Sequence, residues 1–192
     1  AHKIITGRRD RFDTLRKKEG ISGFLKRNES AHDIFGAGHA STSISAALGI
    51  AHARDLKKDN FQVLSIIGDG SMTGGLAYEG INNLGYHKTQ LTVVLNDNSM
   101  SISKSVGALS RYLTKIMTNP TYNKIRNDIW DISGKLPVGS KAIRRFLRKT
   151  QMGIKNYITP GSLFEDLGLR YIGPVDGHNI VELIKVFKSV KN

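Results

Sequence analysis

"GDGSMTGGLAYEGINNLGYHKTQLTVVLNDN" occupies residues 68–98, and the order of its residue types decides the fold. The apolar run "FQVLSIIG" ends in Gly-Asp-Gly at residues 68–70, and a second run, "LTVVLNDN", ends in Asn96, Asp97 and Asn98. Both runs are short and rich in β-branched side chains, the pattern of strands buried on both faces of a parallel sheet. Between them Met72, Leu76, Ala77, Ile81 and Leu84 recur at helical spacing. Gly74, Gly75 and Gly80 lower helix propensity, so this helix is expected to pack closely against a neighbour. Strand, helix, strand with parallel pairing predicts a right-handed βαβ unit, in which ligands bind beyond the carboxyl ends of the strands. The expected class is therefore α/β, a mostly parallel sheet with helices on both faces. Residues 68–70 and 96–98 then lie at its ligand-binding end.

Working outward, "GAGHASTSISAALGIAHARDLKKD" places Gly36 and Gly38 before small hydroxyl residues and an Ala-rich helical stretch, with Ser41 or Thr42 as the predicted cap. Residues 101–160 lose clear periodicity, carry Pro120 and Pro137, and read as a basic, irregular excursion over one edge, apart from a helical piece around "SKAIRRFLRKTQMGIKNYI". After Pro160, "SLFEDLG" predicts a short helix, "LRYIG" a strand, "PVDGHN" a loop and "IVELIKVFKSV" a helix. Residues 1–192 read as one α/β domain, and the chain is expected to be truncated at both ends. It opens without Met, and its final helix keeps apolar spacing to the last turn.

The chain has 192 residues, 39% of them hydrophobic, which suits one packed core. It contains no cysteine, which excludes disulfides, thiolate metal sites and cysteine nucleophiles and fits a reducing compartment; the expected location is cytoplasmic. No run reaches the roughly 18 to 20 apolar residues that span a bilayer, and no membrane partner is expected. The net charge is +13, but residues 101–160 hold twelve Lys or Arg against only Asp128 and Asp131. That local excess reads either as a solvated face or as guidance for anionic small molecules near an active-site mouth. Charge without interleaved aromatic residues does not specify nucleic acid, and none is expected as a partner.

A Gly-rich loop opening a helix can hold phosphate oxygens on backbone N–H groups. The two familiar phosphate fingerprints fail: Thr73 stands where a dinucleotide motif needs Gly, and no Gly-Lys-Ser/Thr triplet occurs. An aspartate between two glycines, beside phosphates, would repel them unless a cation lay between. A hard divalent ion such as Mg²⁺ resolves this, with Asn98 and the Met100 carbonyl as suitable neutral oxygen donors beside Asp69. A turn aspartate bonded to its own backbone is the plainer alternative for Asp69, and a strand-end amide for Asn98.

Gly-Asp-Gly, then 27 residues (71–97), then an Asn closing an apolar strand, resembles the diphosphate-binding signature of thiamine diphosphate enzymes. Within that superfamily "GHASTSISAALGIA", "GDGSMTGGLAYEGINNLGY", "LNDNSMSISKSVGALSRYL", "HKIITGRRD" and "LFEDLGLRYIGPVDGHN" together resemble the 1-deoxy-D-xylulose-5-phosphate synthase family. Transketolase shares the Gly-Asp-Gly and Asn pattern but not the flanking text. The resemblance implies the diphosphate-binding domain of a homodimeric transferase with thiamine diphosphate and Mg²⁺ as cofactors. It decarboxylates pyruvate and joins the two-carbon unit to glyceraldehyde 3-phosphate, in isoprenoid-precursor, thiamine and pyridoxal synthesis.

Carried over residue by residue, the resemblance makes Asp69, Asn98 and Met100 the metal ligands, with Asn98 also touching the cofactor. Gly38, His39 and Ala40 match a "GHS" segment that contacts the cofactor, with Ala40 lacking the usual hydroxyl, and Gly70 and Ser71 match the loop that meets the diphosphate. The family activates its cofactor with a glutamate in a second domain and uses a histidine upstream of "HKIITGRRD". No catalytic residue is therefore assigned here, and this stretch alone is expected to be inactive. Three readings stay open: cofactor anchor of such a synthase, a transketolase-type enzyme, or a basic nucleic-acid-binding module. The last gives no reason for Asp69 or Asn98.

Overall fold

A computed structural model describes residues 1–98, 112 and 161–191. The expected Met100 ligand and the basic excursion with its helical piece, Tyr112 apart, lie outside the described residues. Two short helical turns, Ile4–Arg8 and Arg9–Thr14, lead to α1 (Ser43–Lys57), β1 (Leu64–Gly68), α2 (Asp69–Met72), α3 (Gly75–His87), β2 (Thr92–Asn96), α4 (Ser162–Asp166) and α5 (Ile180–Val190). β1 and β2 pair in parallel, Leu64 opposite Thr92 and Gly68 opposite Asn96. The strand–helix–strand reading of residues 64–96 is therefore the observed order, and the domain is α/β.

α1 buries Ile44, Ala47, Leu48 and Ala51, one stripe at spacings of three and four, and ends at Lys58 in the left-handed region. α3 buries Ala77, Gly80, Ile81, Leu84 and Gly85 and ends the same way at Lys88. Two of its glycines, Gly80 and Gly85, are where other elements come close. A Cβ on Gly80 would lie 2.9 Å from the Ser45 Oγ and 3.0 Å from Ile44 Cγ2, and one on Gly85 only 1.7 Å from the Leu167 carbonyl oxygen. α3 thus gives up helix propensity so that α1 can approach one part of it and the turn after α4 another. Leu76, expected in the core, is 43% exposed.

The main core joins Ile44, Ile67, Met72, Ala77, Ile81 and Phe164, with Val93, Leu95, Tyr112 and Tyr171 against it; a second cluster joins Ala47, Ala51 and Val63. The buried Arg54 of α1 crosses to the start of both strands, where its guanidinium donates to the carbonyls of Phe61 (3.2 Å) and Gln90 (3.0 Å). It satisfies acceptors that the sheet leaves unpaired as the chain enters it.

Two expectations are corrected. β1 is not covered on both faces: Ser65 and Ile67 are buried, whereas Leu64 is 46% and Ile66 65% exposed. The apolar run has no alternation from which the covered face could be read, and the side turned inward is the one that carries Ser65. "LRYIG" is not a strand. The Leu169 N–H turns back to the Phe164 carbonyl, Tyr171 stacks on Phe164 with ring centroids 5.8 Å apart, and Gly173 has φ +144°. Its side chains cover the core instead of extending the sheet.

Candidate functional site

Asp69 follows β1 directly, and Asn98 stands two residues past β2. Because Gly68 pairs with Asn96, the carboxylate and the amide come from neighbouring strand ends, one strand spacing of about 4.8 Å apart. Asp69 is half-buried, and Gly70 and Asn98 are exposed. The turn of α2 is tied by Thr73, whose Oγ1 donates to the Gly70 carbonyl at 2.7 Å.

Residues 38–41 form a second arm against this loop. The Ser41 Oγ donates to the Ser71 carbonyl at 2.7 Å, across thirty residues of sequence. Ser41 has φ +69°. Thr42, at the N-cap position of α1, makes no side-chain cap bond and donates instead to the His39 carbonyl at 3.3 Å. The expectation that Ser41 or Thr42 caps α1 with its hydroxyl is thus corrected: one hydroxyl is turned to another loop and the other back along its own. Gly38, His39 and Ala40 are exposed, and a Cβ built on Gly38 or Gly70 would meet nothing within 4 Å. Two glycines therefore border open space, while Gly74 is crowded by the Ser41 Oγ.

This donor set suits a hard cation held against a diphosphate. Its protein donors are all oxygens, with one carboxylate and one amide at the strand ends. Mg²⁺ takes one or two such ligands and completes its octahedron with phosphate oxygens and water. Among the described residues no three His, Asp or Glu side chains converge as an all-protein cage. Gly38 and Gly70 leave room for ligand oxygens to reach backbone.

A second polar cluster, which no local sequence pattern announces, gathers around Arg8 of "TGRRDR". Arg8 is buried, and its guanidinium grips both oxygens of Asp33 at 2.8 Å while also reaching Glu29 at 2.9 Å. Lys3 bonds the same Glu29 oxygen, and His2 Nε2 lies 2.9 Å from Asp33 Oδ1. Backbone N–H groups of Lys26 and Ser22 complete the two carboxylates. The anion that Arg8 contacts is the protein's own. Arg8 holds the Asp33 carboxyl far below the usual carboxylate range, and Lys3 lowers Glu29. Partners 25 residues apart in an aperiodic stretch leave no local signal. Of the other histidines, His52 and His87 meet edge to face at 5.0 Å, with His52 half-buried.

The family model described as 1-deoxy-D-xylulose-5-phosphate synthase matches residues 1–192. Proteins of that name are similar to this chain over nearly its whole length: 57% identical over 192 residues in Syntrophus aciditrophicus and 53% over 190 in Caldanaerobacter subterraneus subsp. tengcongensis. In Clostridium acetobutylicum the figure is 51% over 190 residues. These alignments cover 99 to 100% of the chain, which spans about 30% of the length of these curated relatives.

Proposed function

Because the chain belongs to the 1-deoxy-D-xylulose-5-phosphate synthase family, we propose that it anchors the diphosphate of thiamine diphosphate through Mg²⁺. The observation that carries this reading is the pairing of Gly68 with Asn96, which sets Asp69 and Asn98 at adjacent strand ends beside the open glycines. Asp69 supplies the anionic metal ligand, and Asn98 and the Met100 carbonyl supply the neutral ones. Gly70 and Ser71 meet the diphosphate with backbone groups, and residues 38–40 contact the cofactor from the other arm. Ala40 offers no hydroxyl, so that arm acts through its backbone and His39. When bound, the cofactor supplies the means to decarboxylate pyruvate and pass the two-carbon unit to glyceraldehyde 3-phosphate. This domain neutralises and orients; the groups that activate the cofactor belong to the rest of a cytoplasmic homodimer. Residues 1–192 alone are therefore expected to form no deoxyxylulose 5-phosphate in a coupled assay.

Titration calorimetry of the full-length protein with thiamine diphosphate tests the anchor. Affinity is expected to require Mg²⁺ and to fall on the order of a hundredfold in Asp69→Ala, the effect of losing a charged partner. Metal-independent binding, or an Asp69→Ala variant that binds as tightly as the parent, overturns the reading.

A further inference from the structure

We propose that Ser41 is a positioning residue that locks the two arms of the diphosphate cradle together, a reading that rests on the cofactor site proposed above. The hydroxyl of Ser41 serves neither its own helix nor solvent. It donates to the Ser71 carbonyl at 2.7 Å, joining residues 38–40 to the Gly70 and Ser71 loop. The same carbonyl accepts the Gly74 N–H at 3.5 Å, a long bond beside the short one. Since a peptide is planar, fixing the Ser71 carbonyl fixes the direction of the Met72 N–H in the same plane, and with it the course of the loop.

Two features show that this contact is built in. Ser41 has φ +69°, a left-handed conformation that a residue with a Cβ adopts at a cost and that surrounding structure must hold in place. Facing it, Gly74 has no side chain where one would collide: a Cβ there would lie 2.3 Å from the Ser41 Oγ and 3.0 Å from its Cβ. A strained serine and a glycine cleared for it thus meet between the segments expected to touch one ligand group. Because the Ser41 hydroxyl is committed to Ser71, it does not replace the hydroxyl that Ala40 lacks.

The test measures two quantities on the full-length protein: Mg²⁺-dependent affinity for thiamine diphosphate, and the melting temperature without cofactor. Ser41→Ala removes the hydroxyl and keeps the strain, whereas Ser41→Gly removes both. Each is expected to weaken cofactor binding roughly three- to tenfold, the loss of one neutral hydrogen bond, while the cofactor-free melting temperature holds or, for Ser41→Gly, rises. Gly74→Ala is expected to displace the hydroxyl and give the same loss. Combined with Ser41→Gly it should add nothing further, because both changes remove one contact. Unchanged affinity in Ser41→Gly overturns the proposal, as does a loss that merely follows a fall in melting temperature. Asp69→Ala separates the two levels. If it abolishes binding while the Ser41 variants do not weaken it, only the positioning role falls; if it leaves binding intact, the cofactor site and the role fall together.

Discussion

Asp33 accepts hydrogen bonds from Arg8, from His2 and from the Lys26 N–H, and protonating it would disrupt a buried, fully committed carboxylate. Its folded-state pKa is depressed, first by the Arg8 hydrogen bonds, and that of Glu29 is lowered chiefly by Lys3. Groups depressed in the folded state contribute stability that is present above their unfolded values, near pH 4, and is lost as pH falls towards the folded ones. The melting temperature followed by circular dichroism is therefore expected to be level above about pH 5 and to fall between about pH 4 and 2. Asp33→Asn should flatten that fall and lower the plateau, since it leaves the Arg8 charge buried with half its partners gone. At this scale legibility depends on whether a residue's reason is local. The placement of Asp69 and Asn98 at neighbouring strand ends is legible because their strands can be read. Ser41 was mistaken for a cap because a capping rule sees only the residues that follow, and the carbonyl it serves lies thirty residues on.

Between elements, α3 is limited by the approach of its neighbours more than by its own helix propensity. Gly85→Ala gains up to about 1 kcal/mol of propensity but drives a Cβ into the Leu167 carbonyl, which is backbone and cannot rotate away. A net loss of about 1 to 3 kcal/mol is expected in urea unfolding, from overpacking. Gly80→Ala meets the Ser45 hydroxyl and a methyl of Ile44, which can shift, so its cost should be smaller; the reverse order would count against this account of α3. Arg54→Met, which keeps the apolar stem and strands the Phe61 and Gln90 carbonyls, is expected to cost about 1 to 3 kcal/mol in the same assay. The sequence disclosed α1, α3 and both strands, since their apolar patterns have a period or a β-branched run. It did not disclose which face of β1 is covered, because an unbroken apolar run reads the same from either side. Nor did it show that "LRYIG" covers a core, a choice made by Phe164 and Tyr171 in three dimensions.

At the scale of the whole molecule, the exposed apolar side chains of the described residues include Leu64 and Ile66 on β1, and Ile180, Val181, Ile184 and Phe187 on α5. Such stripes favour association. Ile66→Thr with Ile184→Asp is expected to reduce self-association of the 192-residue chain in sedimentation velocity, while unfolding free energy moves by less than about 0.5 kcal/mol for each surface change. Larger destabilisation would mean that these side chains carry packing. Among the described residues no helix is long and apolar enough to cross a membrane. The paired register of β1 and β2 also bears on how this site drifts in evolution. Register ties Gly68 to Asn96 whatever the number of residues between them. An inserted residue after Lys88, where α3 has ended and Lys88 and Gln90 are exposed, is absorbed by the connection. One inserted between Asn96 and Asn98 carries the amide about 3.3 Å onward and reverses the side on which it projects. Relatives can therefore lengthen the spacer at that one joint and keep the site, and a search by fixed spacing would pass them over.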